Sequence, residues 1–294
     1  MRLLLLSACT ALALSACATA PMPAAQAPPT AVMQLAAAPN DNLNSVAWIQ
    51  RSVEYRAISE QTFRAAADQL DQALQQPQWD ALDPAERRNA LAGLKPAVIM
   101  DVDETVLDNS PYQARLVRDG LEYDDATWAL WVAERKASAL PGVVEFARAA
   151  SARGVTLIYL SNRAVDLKQA TLDNLRAAGL PVASEDVFLG LGMDVPGCEQ
   201  RGSDKRCRRQ LVARDYRVLM QFGDQLGDFV QVSPNTPAHR DQLHARHGQW
   251  FGQRWWMLPN PTYGSWEPAL FDNQWSLPAD ERRRAKREAL DYAQ

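Results

Sequence analysis

Apolar positions along the chain fall into two different rhythms. Between residues 43 and 76, Val46, Ile49, Val53, Ile58, Phe63, Ala67, Leu70 and Leu74 recur at roughly helical spacing, which predicts one or two helices leading into a core. Pro77 and Pro84 punctuate the stretch that follows. After them the apolar residues become contiguous: 97–101 (AVIMD), 155–160 (VTLIYL) and 217–222 (RVLMQF) read as buried strands, with shorter ones at 186–190 and near 254–258. Helical segments are predicted between them, at 142–152 before Gly154, at 165–178 before Gly179, and near 204–214. Strands alternating with helices predict an α/β fold built on a doubly wound parallel sheet. Trp128 and Trp131, three apart on a predicted helix, lie in a segment near 109–140 that reads as a small, mainly helical accessory element. The final stretch, 276–294, mixes acidic with basic residues and reads as a solvated amphipathic helix.

Composition narrows the class. A chain of 294 residues with 47% hydrophobic content can bury a full core as one α/β domain with a modest appendage. A net charge of -4 disfavours binding to nucleic acid polymers, which need a basic face, but leaves small phosphorylated ligands open. The first residues do not belong to this fold. Arg2 precedes an apolar run, residues 3–16, that would span only ~21 Å as a helix, too short for a bilayer core of ~30 Å, so a signal peptide over 1–16 is expected. Its ending, Leu14-Ser15-Ala16-Cys17, resembles the bacterial lipobox; ordinary cleavage after a small-residue site is the alternative. The lipobox resemblance implies lipidation of Cys17, attachment to a membrane through that lipid and, because Ala18 rather than Asp follows, an outer membrane lipoprotein facing the periplasm or the surface. Residues 17–40, rich in Ala and Pro, then form a tether, and 41–294 form the folded domain: helices over 41–96, a core over 97–275 and the terminal helix. With Cys9 removed alongside the signal and Cys17 lipidated, Cys198 and Cys207 remain. In an oxidising compartment this short-range pair between glycines predicts a disulfide, two free thiols being the alternative.

The chemistry concentrates at strand ends. Asp101 and Asp103 follow the first apolar run with one residue between them; in an extended chain both side chains point to the same side, at the sheet edge where α/β proteins bind ligands. Two carboxylates at ~4 Å repel by roughly 4 kcal/mol at an effective dielectric of ~20, so the pair calls for a shared proton or a cation. A solvated acidic turn is the plain alternative for such a pair alone. Three more features occur near later strand ends: Ser161 in Leu160-Ser161-Asn162-Arg163, Lys205 in Ser203-Asp204-Lys205, and Asp224 with Asp228 in Gly223-Asp224-Gln225-Leu226-Gly227-Asp228. Parallel strands present their carboxyl ends on one edge, which would gather these residues. Taken singly, Ser161 also reads as a helix cap, Lys205 as a surface lysine and Asp228 as a cap on the next turn.

Together, DVDETVLDNSPY, LSNR, SDK, GDQLGDF and MLPNPTYGSW resemble the haloacid dehalogenase superfamily of phosphohydrolases. More narrowly they resemble the bacterial class C acid phosphatases, the outer-membrane lipoprotein 5′-nucleotidases, over roughly residues 40–275. The resemblance implies a haloacid dehalogenase-like core with a helical cap and hydrolysis of small phosphomonoesters, nucleoside 5′-monophosphates foremost. Asp101 would be the nucleophile, Asp103 the general acid and base, and Mg²⁺ the cofactor, held by Asp101, Asp224 and the backbone carbonyl of Asp103. Asp228 would orient the water around the metal, while Lys205 and Ser161 contact the phosphoryl group. Trp128 and Tyr263 match positions whose rings sandwich a nucleobase, and Asn162 and Arg163 would assist substrate binding. Core packing in the cap is the alternative for Trp128 and the stronger reading for Trp131. Gln225 departs from the family, in which many relatives carry Asn. A phosphotransferase of the same superfamily and a non-catalytic nucleotide-binding lipoprotein are the rival functions, and a homodimer is left open.

Overall fold

Serine divides the first helical stretch. The computed structural model describes residues 40–293, and in it α1 (Leu43–Arg51) and α2 (Val53–Gln75) are separated by Ser52, whose backbone is extended and whose hydroxyl accepts the Tyr55 N–H at 3.0 Å. α2 buries Tyr55, Ser59, Phe63, Ala66, Leu70 and Ala73, steps of three and four residues that make one stripe. Val53, expected on that stripe, is exposed because the helix begins there. The far end of α2 is closed by a side chain from the sheet: the Arg217 guanidinium donates to the carbonyls of Ala73, Leu74, Gln76 and Trp79 at 2.8–3.3 Å, satisfying acceptors that a helix end leaves open. The expected signal segment, Cys17 and the tether up to residue 39 lie outside the described residues. Among the described residues no helix is long and apolar enough to cross a membrane.

The sheet follows from the apolar runs. In chain order the strands are β1 (Lys95–Met100), β2 (Leu107–Asp108), β3 (Ser138–Ala139), β4 (Thr156–Ala164), β5 (Phe188–Leu191), β6 (Tyr216–Gly223) and β7 (Trp255–Met257). Five of them form a parallel sheet in the order β5-β4-β1-β6-β7, and β2 pairs with β3 in a separate antiparallel ribbon. β1 lies at the centre between β4 and β6, and β6 is buried at every residue but Tyr216, as expected for a strand covered on both faces. Side-chain alternation sorts the aromatic residues. On one face Phe222 packs against Phe63 of α2, against Phe146 of α5 (Val143–Ala152) and against Trp256, at ring distances of 5.3, 4.7 and 6.2 Å. On the other, Trp255 is enclosed by Phe229, His247, Trp250 and Phe251.

The accessory element lies between β2 and β3 and consists of α3 (Ser110–Asp119) and α4 (Asp125–Glu134), the latter capped by the Asp124 carboxylate at 3.0 Å from two backbone N–H groups. The remaining helices are α6 (Lys168–Ala177), α7 (Arg206–Asp215), α8 (Pro237–His247) and α9 (Ala279–Glu288). α8 has no counterpart in the apolar pattern, because it buries only Leu243 and His247. Two boundaries shift with consequence: β4 runs on through Ser161–Ala164 rather than ending at residue 160, and α7 starts just after Lys205. Cys198 and Cys207 form a disulfide, their Cα atoms 5.6 Å apart. α9 buries no residue, but its cations tie distant segments: Arg283 pairs with Asp41 at 2.8 Å, Lys286 with Glu267 at 2.9 Å, and Arg282 with Glu122.

Phe222 joins the sheet to both covering helices. Phe222→Ala is therefore expected to cost about 3–5 kcal/mol of unfolding free energy, read from the shift in denaturant midpoint at unchanged slope.

Candidate active site

The two central strands deliver the acidic residues. The Asp101 N–H donates to the Phe222 carbonyl at 3.0 Å, which extends the β1–β6 pairing by one residue and fixes Asp101 beside the end of β6. Asp224 follows Gly223, and the 3₁₀ turn Leu226–Asp228 folds Asp228 back over it. Only glycine fits at 223, since a Cβ there would lie 2.3 Å from the Asp228 Cβ. Carboxylate oxygens of Asp101, Asp224 and Asp228 all come within 4.8 Å of one another. The structure thus places Asp228 in the cluster itself, and its second oxygen also accepts the Gln225 N–H at 2.8 Å, so the capping role and the chemical one coincide.

Positive charge arrives from the start of α7. Lys205, buried, donates to Asp101 and, at 2.6 Å, to Asp228. One turn on, Arg208 donates to the Ser161 carbonyl and to Asn162 Oδ1, the latter at 2.7 Å, and Arg209 donates to the carbonyls of Gly227 and Asp228 at 2.8 and 3.1 Å. Arg209 is balanced by Glu86 in a buried two-bond pair. Consecutive arginines therefore hold the end of β4 and the 3₁₀ turn on either side of Lys205. Asn162 is engaged by this framework, with its side chain on Arg208.

Asp103 has different partners. β1 stops at Met100, and the chain reverses through Glu104, which has φ 56°. The Asp103 carboxylate receives Arg163 at 2.8–2.9 Å and Asn109 at 2.9 Å on Oδ1, and Ser161 Oγ at 3.3 Å on Oδ2. Arg163 is buried on the inward side of β4, its guanidinium 5.5 Å from the half-buried Trp128 ring. Trp128 also packs on Tyr112 and Tyr123. Trp131 is buried and donates to Asn109 Oδ1 at 2.8 Å, a packing strut as expected. The side chain of Asp103 is not part of the three-carboxylate cluster.

The segment after β7 closes the arrangement. Asn260 and Gln225 donate to Asp224 Oδ2 at 2.7 and 2.9 Å, and Gln225 also reaches the Tyr263 carbonyl at 3.1 Å. The Tyr263 hydroxyl donates to Glu104, whose other oxygen takes the Asn109 N–H at 2.9 Å. Sequence reasoning did not single out Glu104, Asn109, Arg208, Arg209 or Asn260. Glu104 and Asn109 stood within the motif around Asp101, and the Cys-Arg-Arg run after Lys205 was the available signal for the arginines.

Burial makes this acidic set costly. Asp101 is pushed up to about 7, by burial first and then by Asp228 and Asp103, against the pull of Lys205. Glu104 is pushed up to about 8 by burial and by Asp103. Asp224 is raised well above the usual carboxylate range by burial, Asp228 and Asp101. Burial alone would lower the Lys205 ammonium, but Asp101 and Asp228 hold it above its ordinary value. One lysine among three converging carboxylates leaves negative charge over, and an all-oxygen donor set suits a hard divalent cation.

Comparison with known proteins identifies the family and the fold. Residues 4–266 match the family model for the HAD superfamily, subfamily IIIB (acid phosphatase). The fold is similar to that of the class C acid phosphatase from Bacillus anthracis, with a TM-score of 0.73 and 31% identity over 86% of this chain and 98% of that one. The structure of that enzyme with tungstate bound superposes equally well, at 32% identity. Among curated proteins, vegetative storage protein 2 of Arabidopsis thaliana is 27% identical over 166 residues, covering 56% of this chain and 55% of that protein. Acid phosphatase 1 of Solanum lycopersicum is 28% identical over 166 residues, 56% of this chain and 57% of that one. The chain thus spans little more than half the length of the curated relatives it matches.

The raised carboxyls set a pH dependence of defined sign. For Asp101 and Glu104 the folded-state value lies above the unfolded one, so folding takes up protons; their ionisation costs nothing below about pH 4 and a growing amount up to about pH 8. Cation-free protein should therefore lose melting temperature between pH 5 and pH 8, and an added divalent cation should restore more of it at pH 8, where the cluster is ionised, than at pH 5. Differential scanning fluorimetry with and without the cation checks both signs.

Proposed function

The chain belongs to subfamily IIIB of the HAD superfamily, the acid phosphatases, and on that premise we propose that it is a lipid-anchored, Mg²⁺-dependent phosphomonoesterase acting on nucleoside 5′-monophosphates and other small phosphate esters. The observation that carries the reading is the meeting of Asp101, Asp224, Asp228 and Lys205 at the carboxyl edge of the sheet, with Asp103 alongside. Phosphoryl transfer asks a protein mainly for an in-line nucleophile and for charge that stabilises the anionic oxygens, and these residues supply both.

Asp101 attacks phosphorus as the bond to the ester oxygen breaks, giving an aspartyl-phosphate. Asp103 gives its proton to the departing alkoxide and then takes one from the water that cleaves the aspartyl-phosphate, releasing inorganic phosphate and restoring both carboxyls. Arg163, Asn109 and Ser161 hold the Asp103 carboxyl in place during both transfers. Lys205 places its ammonium against the transferring group, and Ser161 lies within reach of the same oxygens. Asp101, Asp224 and the Asp103 carbonyl would hold Mg²⁺, with Asp228 orienting its water; the close carboxylate oxygens fit such an ion, which when bound offsets charge between nucleophile and phosphate. The tungstate bound by the Bacillus anthracis enzyme, a tetrahedral oxyanion like phosphate, supports a site of this kind. Trp128 beside Arg163 and Tyr263 on the closing segment offer aromatic faces to a base, and stacking at ~1–3 kcal/mol per base tolerates different bases.

Asp101→Asn should lower turnover of p-nitrophenyl phosphate by at least a thousandfold while leaving the thermal melt equal or higher, since a carboxyl whose ionisation burial and acidic neighbours disfavour is replaced by a neutral isostere. EDTA should abolish wild-type activity and Mg²⁺ should return it. For the anchor, Cys17→Ser is expected to move the protein from the detergent-soluble membrane fraction into the aqueous one when expressed in a bacterium with an outer membrane.

A further inference from the structure

The two carboxylate oxygens of Asp103 have unlike surroundings. Oδ1 accepts three N–H groups, from Arg163 Nε and Nη2 at 2.9 and 2.8 Å and from the Asn109 amide at 2.9 Å, whereas Oδ2 meets only the Ser161 hydroxyl at 3.3 Å. An oxygen already facing three N–H groups has no room for a further hydrogen, so a transferable proton belongs on Oδ2. The Ser161 hydroxyl suits either state, because it can both donate and accept.

The arrangement on Oδ1 depends on which way the Asn109 amide faces. Its nitrogen points to Asp103, with the Leu107 carbonyl at 3.4 Å beside it, and its oxygen points the other way. Two groups donate to that oxygen, the Trp131 indole N–H at 2.8 Å and Arg163 at 3.3 Å. Arg163 is bonded to Asp103 as well, so it moves with the carboxylate that it would steady. Trp131 belongs instead to α4 of the insert, and it is fixed there. It is 3% exposed, Arg115 lies over its ring at 5.0 Å, and Tyr112 of α3 meets Thr127 of α4 at 3.0 Å. A buried indole needs an acceptor somewhere. This one takes the oxygen of the residue that grips Asp103.

We infer that Trp131 is a positioning residue for proton transfer to the leaving group: by holding Asn109 Oδ1 it keeps the amide N–H on Asp103 Oδ1 and leaves Oδ2 to protonate the departing oxygen. The proton passes from Oδ2 to the ester oxygen as the bond from that oxygen to phosphorus breaks and the bond from Asp101 to phosphorus forms. The inference rests on the phosphomonoesterase reading, in which Asp103 is the acid, and adds to it a residue that acts through Asn109 without touching substrate. Trp131 thereby has a task besides filling the core of the insert.

Proton donation matters more as the departing oxygen becomes more basic. p-Nitrophenolate departs readily without a proton and phenolate does not, so these two esters, alike in their ring, separate misdirected proton transfer from a general loss of structure. The test is Trp131→Phe in the full chain with Mg²⁺, with kcat/KM measured for phenyl phosphate and for p-nitrophenyl phosphate, beside Asn109→Ala and the double variant. The phenyl over p-nitrophenyl ratio should fall about tenfold in Trp131→Phe, a part of the ~10²–10⁴-fold that a positioned acid contributes. It should fall at least as far in Asn109→Ala and no further in the double variant. Equal losses on both esters overturn the inference, since a packing role lowers both together. A ratio unchanged in Asn109→Ala, or a further fall in the double variant, also overturns it, because Trp131 would then act by a route other than Asn109. If Trp131→Phe does not fold, benzothienylalanine placed at position 131, isosteric with tryptophan but lacking the N–H, reads the same ratio. Wild-type protein that hydrolyses neither ester overturns the phosphomonoesterase reading and the inference with it, whereas an active wild type with an unchanged variant ratio removes the inference alone.

Discussion

Like charges gathered in a cleft of low dielectric must be neutralised, and in this protein the neutralisation is the work of one helix end. Three carboxylates converge within 4.8 Å, and Lys205, immediately before α7, reaches two of them. An ammonium on a flexible stem would not hold that position by itself. Arg208 and Arg209, both fully buried, bind backbone carbonyls of Ser161 in β4 and of the turn that carries Asp228, so α7 locks the acidic residues and their counter-charge into one body. Glu86 cancels Arg209, which leaves Lys205 as the cation aimed at the cluster. Removing Lys205 from such a buried set would leave the carboxylates without their counter-charge.

The corner around Asp103 is organised around one asparagine instead, with the Arg163–Asp103 ion pair beside it. Asn109 uses three groups at once: its backbone N–H binds Glu104, its amide nitrogen binds Asp103, and its carbonyl oxygen receives Trp131 and Arg163. The helical insert is thereby tied to the Asp103 carboxyl through Trp131 and Asn109. Tyr263, bonded to Glu104, brings the segment after β7 across to the same corner. A movement of the insert would be felt at Asp103 directly, because few freely rotating groups stand between them.

Much of this was legible in the order of residues. Buried parallel strands are contiguous apolar runs, so AVIM, VTLIYL and RVLMQF announced the centre of the sheet, and what followed each run fell on the same edge. Legibility failed where meaning depends on long-range packing. Ser161 was expected just past a strand, but β4 continues to Ala164 because Arg163 alternates inward to bind Asp103, which a polar Ser-Asn-Arg run conceals. Arg208 and Arg209 fall within the helix expected near 204–214, but sequence cannot say that Glu86 and backbone carbonyls of distant segments await them. α8 was missed for lack of an apolar stripe.

The ion pair between Arg283 of α9 and Asp41 just before α1 brings the beginning and the end of the folded domain side by side, 242 positions apart in the chain. Neither segment enters the sheet, so the connectivity of the domain is close to a closed ring. A circularly permuted version, rejoined at this corner by a short linker and reopened at a surface turn such as Gly120, would retain every strand neighbour and the whole catalytic edge.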